Sequence, residues 1–115
     1  MVKIDKNVPD RGEVIWINFN PQTGHEQAGR QPAFVLSPIA YNQKTGMILL
    51  CPITNQIKGY PFEVEIPAGH KVTGVVLSDQ VKSLDWKVGE TEYACKLPQV
   101  VTIEVLKKLN TLIEK

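Results

Sequence analysis

The sequence has little of what several large protein classes need. Only two of its 115 residues are cysteines, Cys51 and Cys95, far apart and with no Cys-x-x-Cys pair. That is too few ligands, too widely spaced, for a disulfide scaffold or a zinc site. Both are expected to be reduced thiols. No apolar run approaches the ~20 residues that span a bilayer, and "MVKIDKNVPDRGEVIW" lacks the apolar core of a secretory signal. A cytoplasmic protein with no membrane partner is expected. Neither sign of charge dominates: the formal net charge is +1 with 22% charged residues. A uniformly basic surface is thereby excluded, so any contact with nucleic acid must use a local patch. Repeats, low-complexity tracts and Gly/Ser-rich linkers are absent, which predicts one domain over residues 1–115. The apolar fraction of 43% is high enough for a packed core without disulfides.

What is present is mostly strand. Glu13 to Asn20 alternates, with Val14, Trp16, Ile17 and Phe19 as apolar positions and Trp16 expected in the core. "PAFVLSP", bounded by Pro32 and Pro38, reads as a buried strand, "YNQKTG" as a turn, and "MILLCPIT" as a third, strongly apolar strand. "FEVEI" alternates, "PAGHKVTG" turns, and "VVLSDQVKSLDW" is apolar on both sides of a break at Ser78-Asp79-Gln80. "TEYACKL" is the last strand. After Pro98, Val101, Val105, Leu109 and Leu112 recur at helical spacing with Ile113 beside them, predicting an amphipathic helix with Pro98 near its first turn. A mainly β domain follows: a small antiparallel barrel closed by a C-terminal helix.

Two connections carry unusual chemistry. "GHEQAGRQP", between the first two strands, holds His25, Glu26, Gln27, Arg30 and Gln31. The second runs from Thr54 to Lys58 and into Gly59-Tyr60-Pro61. Brought together at one end of a barrel, Glu26, Arg30, Gln31, Thr54 and Lys58 supply a base, cations and a hydroxyl. His25 and His70 lack partners at ligand spacing, so no metal or other cofactor is expected. Such a set suits a phosphodiester. A cation steadies charge on the phosphoryl oxygens, while an acid and a base move protons at the leaving and attacking oxygens. RNA brings its own nucleophile, the 2′-hydroxyl. Each residue also has a plain structural reading. Glu26 and Arg30 can form an exposed ion pair, Thr54 can cap a strand end, Lys58 can be solvated, and Tyr60 and Trp86 can pack rather than stack on a base.

At these residues the chain resembles the MazF/PemK family of toxin endoribonucleases. The likeness runs through "VPDRGEVIWINFNP", "GHEQAG", "PAFVLSP", "YNQKTGM", "CPIT", "KGYPFEV" and "GVVLSDQVKSLDW" to the helical tail. It implies an SH3-like barrel with a C-terminal helix, a homodimer, metal-independent cleavage of single-stranded RNA to 2′,3′-cyclic phosphate and 5′-hydroxyl ends, and silencing by a MazE-type antitoxin. The family's catalytic pair is an arginine in Glu-Gln-x-Gly-x-Arg-Pro and a threonine or serine in Pro-x-Thr. Thr54 matches the second, and Glu26 and Gln27 match the start of the first. The arginine column holds Gln31, with Arg30 one position earlier. The catalytic set expected here is therefore Thr54, Arg30, Gln31 and Glu26, with Arg30 as the cation. RNA contacts are expected from His25, Gln27, Asn42, Lys58, Tyr60, Gln80 and Lys82. Two alternatives stand beside this reading. Gln31 would suit a weakened member that binds RNA or antitoxin without cutting. A CcdB-like gyrase-directed toxin is the other, although the tail "LNTLIEK" lacks the tryptophan such toxins use.

Overall fold

The computed structural model describes residues 7–19 and 29–114; His25, Glu26 and Gln27 lie outside the described residues. Seven strands and two helices follow in the order β1 (Glu13–Asn18), β2 (Arg30–Val35), α1 (Ile39–Thr45), β3 (Met47–Thr54), β4 (Glu63–Glu65), β5 (Val75–Leu77), β6 (Lys82–Asp85), β7 (Glu92–Lys96) and α2 (Gln99–Ile113). All strand pairs are antiparallel, in the order β4-β5-β3-β2-β1-β7, with β6 also on β3. Leu50 pairs with Val35 of β2 and with Lys82 of β6, so these neighbours occupy opposite edges of β3. Beyond β6 on that edge, Ile53 and Thr54 pair with β5. The break expected at Ser78–Gln80 is the step that separates β5 from β6 along β3. No ladder joins β4 to β7 among the described residues, so the expected barrel is an open, folded sheet.

Both faces of this sheet carry a core. Val14, Phe34, Cys51, Ile53 and Val76 pack with Val101 and Val105 of α2. Ile15, Ile17, Ala33, Ile48 and Leu50 pack with Val8 and Trp86, flanked by Phe19 and Leu84. Alternation along β3 sends Ile48 and Leu50 to one cluster and Cys51 and Ile53 to the other, which is why "MILLCPIT" is apolar on both faces. Five of its eight side chains are buried inside the subunit, while Leu49 is exposed. Burial pushes the Cys51 thiol up to about 12, so it stays protonated.

Three expectations need correction. The stretch expected as a turn, "YNQKTG", belongs to α1. Pro38 precedes the helix, and Gly46, at φ +74°, ends it in the left-handed conformation that glycine takes without strain, its N–H donating to the Asn42 carbonyl at 3.0 Å. Asn42, expected at RNA, is 0% exposed. Its Oδ1 accepts from the Ser37 hydroxyl (2.5 Å), and its Nδ2 donates to the carbonyls of Pro9 (2.8 Å) and Ser37 (2.9 Å). The Trp86 indole N–H donates to its backbone carbonyl (2.8 Å). Asn42 is thus a structural tie, and Trp86 packs rather than stacks on a ligand. Trp16, expected in the core, is 37% exposed, because Ile15 and Ile17 take the inward positions beside it. In α2, Val101 and Val105 are buried and Leu109 packs at the core's edge, but Leu112 and Ile113 project past the sheet and are exposed.

Candidate functional site

An open cleft of about 570 Å³ lies where the ends of β1, β2 and β3 meet the β5–β6 step. Phe19, Gln31, Thr54, Asn55, Gln56, Gln80 and Lys82 contribute to its lining, with Pro32, Pro52, Ile53 and Leu77 beneath. Register explains the central pair. Ala33 lies opposite Pro52 and Phe34 opposite Cys51. Carried two residues further, that register sets Gln31 across from Thr54, the spacing at which cross-strand side chains meet. The cleft continues into a smaller groove of about 130 Å³, shared through Thr54, Gln56, Leu77 and Gln80 and extended by Lys58, Tyr60 and Glu63.

Local contacts hold this end of the sheet in shape. Thr54 Oγ1 accepts from the Gln56 N–H at 3.0 Å, turning the chain sharply out of β3. Gly74, at φ +113°, passes so close that a Cβ would stand 2.3 Å from the Thr54 carbonyl oxygen. Only glycine allows that approach, and it seats Thr54 against β5. The connection after Thr54 is tied down three times. The Glu63 carboxylate accepts from the N–H groups of Lys58 (3.0 Å) and Gly59 (2.9 Å). Lys108 of α2 donates to the carbonyls of Pro61 (2.5 Å) and Glu63 (3.2 Å). The Tyr60 hydroxyl donates to Asp79 Oδ2 at 3.0 Å, and that bond with the Asp79 charge raises the phenol's pKa. Asp79 directly precedes Gln80, so this bond links the two walls of the groove. Asp79, Asn55 and Gln56 leave no mark of a role in the sequence; lone amides and acids in a polar connection give no signal until the fold pairs them.

The structure thus brings Thr54, Gln31, Gln80 and Lys82 to one cleft and Lys58 and Tyr60 to its extension. Arg30 is elsewhere. It sits one residue from Gln31, opposite Asn18, and its Nη2 donates to Glu92 Oε1 of β7 at 3.0 Å. It does not line the cleft, which corrects the expectation that Arg30 is the cation beside Thr54. A one-residue step along a strand sends a side chain to the other face. Lys82 reaches the cleft from β6, with its ammonium 5.5 Å from the centroid of the Phe19 ring. The described residues include no cluster of three or more His, Cys, Asp or Glu side chains that could hold a metal ion. No described helix is long and apolar enough to cross a membrane.

The described residues that line the main cleft offer amides, a hydroxyl and an ammonium, and none of them is a carboxylate. Such a set of donors and one cation on a small β protein suits an anionic ligand. Comparison with known proteins narrows the class. The sequence model of the family described as "PemK-like, MazF-like toxin of type II toxin-antitoxin system" matches residues 10–113. The chain is 48% identical over 111 residues to the endoribonuclease toxin MazF of Escherichia coli K12, covering 96% of this chain and 98% of that protein. Among solved structures, MazF of Deinococcus radiodurans superposes with a TM-score of 0.84 at 52% identity, covering 94% of this chain and 98% of that one. A MazE–MazF structure from the same organism gives 0.84 at 47%, covering 93% and 96%. The chain belongs to the PemK/MazF-like toxin family of type II toxin-antitoxin systems.

Proposed function

We propose that this protein is a toxin endoribonuclease that cuts single-stranded RNA without a metal and so arrests translation and growth. The observation that carries the reading is the facing of Gln31 and Thr54 across one cleft, since these positions are the two catalytic columns of the family motif. RNA is the anionic ligand. Its 2′-oxygen attacks the neighbouring phosphorus, the bond from phosphorus to the 5′-oxygen breaks, and the products are a 2′,3′-cyclic phosphate and a 5′-hydroxyl. One proton leaves the 2′-oxygen and one arrives on the 5′-oxygen; no water is consumed. The Thr54 hydroxyl contacts the reacting phosphate, and the amides of Gln31 and Gln80 hydrogen-bond phosphate or base edges. Single-stranded RNA is read through such contacts to unstacked bases. Lys58 and Tyr60 extend the track for the strand, with His25, Glu26 and Gln27 assigned to it by the motif alone.

The partner that silences the toxin is a MazE-type antitoxin, whose acidic tail competes for the same cleft; a MazE–MazF structure at 47% identity supports this. The protein acts in the cytoplasm as a homodimer of single-domain subunits. Exposed apolar residues for an interface lie on β1 and β7 (Trp16, Tyr93), on β3 (Leu49) and on α2 (Val100, Ile103). The direct test incubates purified protein with a mixed-sequence single-stranded RNA in excess EDTA and maps the ends. Cleavage to cyclic phosphate and 5′-hydroxyl ends is expected. Cleavage that stops on chelation and returns with a divalent ion overturns the mechanism, and retention of RNA without cleavage leaves a binding protein.

A further inference from the structure

We propose that Lys82 supplies, in this chain, the positive charge that an arginine in the place of Gln31 would supply, and that its ammonium faces the reacting phosphate. The proposal rests on the endoribonuclease reading. Three observations carry it. Gln31, across from Thr54, is neutral and cannot balance the charge that grows on a phosphate under attack. Arg30 is paired with Glu92 on β7 and does not line the cleft. Among the described lining residues of the main cleft, Lys82 is the cation, and no lining carboxylate neutralises it.

The path of the side chain makes the assignment geometric. Lys82 pairs with Leu50, and β3 then runs on for roughly 13 Å to Thr54 at about 3.3 Å per residue. A lysine pointing straight out from that position would miss the hydroxyl. Its ammonium is instead drawn over the ring of Phe19. Phe19 follows the β1 segment whose Ile17 lies opposite Gln31, so the charge stands on the Gln31 side of the cleft. Lys58, the other candidate, lines the adjoining groove and not the main cleft. In the step itself, the 2′-oxygen–phosphorus bond forms as the bond from phosphorus to the 5′-oxygen breaks, and the non-bridging oxygens gain negative charge. The Lys82 ammonium hydrogen-bonds those oxygens and keeps its protons. The ring contact is weak enough to be exchanged for a phosphate.

Single-turnover cleavage of one defined RNA, and binding of the same RNA with a 2′-deoxy sugar at the cut, test this together. Lys82→Gln should slow cleavage by about 10²–10³-fold, the usual loss for a charge-stabilising donor, while binding of the deoxy-substituted RNA weakens less than tenfold. Lys82→Arg should keep most of the rate, Arg30→Gln should stay near the parent, and adding Gln31→Arg to Lys82→Gln should restore cleavage. If Lys82→Gln cuts as fast as the parent, or Arg30→Gln shows the large loss instead, the assignment is wrong and the endoribonuclease reading stands. If the parent binds the deoxy-substituted RNA yet cuts none of the all-ribose strand, the endoribonuclease reading fails and takes the assignment with it.

Discussion

Asn42 and Gln31 carry the same amide group at opposite ends of the sheet, one just before β3 begins and the other across from where β3 ends. The protein uses them in opposite ways. Every polar atom of the Asn42 side chain is bonded inside the protein, and the Ser37 hydroxyl that donates to it also accepts from the Leu49 N–H at 2.9 Å. Gln31 is exposed in the cleft beside Thr54, with its amide turned to a space shared by other free donors. A buried polar group with all its partners is scaffold, since its bonds lose their value if anything else is offered to them. A cluster of donors on a rigid rim, not tied up by bonds within the protein, is available to a ligand. The contrast separates stability from activity along a single strand, and substitutions at the two ends should separate them too.

The largest effect is expected at the scaffold end. Asn42→Ala removes the partner of the Ser37 hydroxyl and of the Pro9 and Ser37 carbonyls, and leaves a hole beside Trp86. Stranded buried groups cost about 1–3 kcal/mol each, partly relieved by relaxation, so a loss of about 3–4 kcal/mol is expected. Chemical denaturation should show it as a lower midpoint, while the cleavage rate per folded molecule stays at the parental value. A stable Asn42→Ala protein with a damaged rate would break the division between the two ends.

Thr54→Val probes the other end. The substitution keeps shape and removes only the hydroxyl. Cleavage should fall by about 10²-fold, equivalent to about 2.7 kcal/mol of transition-state stabilisation. The melting temperature should move little, because the Gln56 N–H that loses its acceptor sits in an exposed turn. A parental rate with Thr54→Val would remove this residue from the chemistry.

How far the sequence revealed this division depends on what kind of signal each end leaves. The β3 strand was legible to the residue, since an apolar run closed by Gly46 and a polar connection has little else it could be. The Ser78–Gln80 break was legible for the same reason. The α1 helix was not, because seven residues with few apolar positions carry no helical period, and its anchor is the polar Asn42. That same polarity made Asn42 look like an RNA contact. Trp16 misled in the opposite direction, being apolar and exposed. Thr54, Gln31, Gln80 and Lys82 converge on one cleft only through strand register and the β5–β6 step, which no local pattern encodes. The direction of Arg30 followed from strand parity, yet its charge and length argued for a reach that Glu92 takes up.

Gly74 joins the two kinds of requirement, because it is a backbone position that serves the site. Gly74→Ala places a methyl against the Thr54 carbonyl and forces a residue with a side chain to hold φ +113°. A loss of about 2 kcal/mol is expected from the backbone conformation alone. Relief of the clash must push Thr54 off its position, so cleavage should fall along with stability. Measuring both on the same preparation sharpens the comparison: stability lost with the rate intact would mean that Thr54 tolerates displacement.

The smallest effect lies back at the scaffold end, where Glu13 shows that a bonded charge there need not stabilise. Burial raises the Glu13 pKa above its ordinary 4.5, and the neighbouring Asp10 charge adds to this. The Asp10 N–H, which donates to Glu13 Oε1 at 3.1 Å, and Lys96 act in the opposite direction without cancelling it. The folded protein therefore binds this proton more tightly than the unfolded chain does. Stability from this group is greatest below the ordinary carboxylate range, where both states are protonated, and it declines as pH rises from 4.5 through the raised folded value. Glu13→Gln removes the charge but keeps an oxygen for the Asp10 N–H. The variant should be more stable than the parent at neutral pH, with the difference shrinking to nothing as the pH falls below the ordinary range. Urea midpoints of the two proteins across that window decide the matter. A variant less stable at neutral pH would mean that the Asp10 and Lys96 contacts outweigh burial, and that the scaffold end relies on this charge as the cleft relies on Lys82.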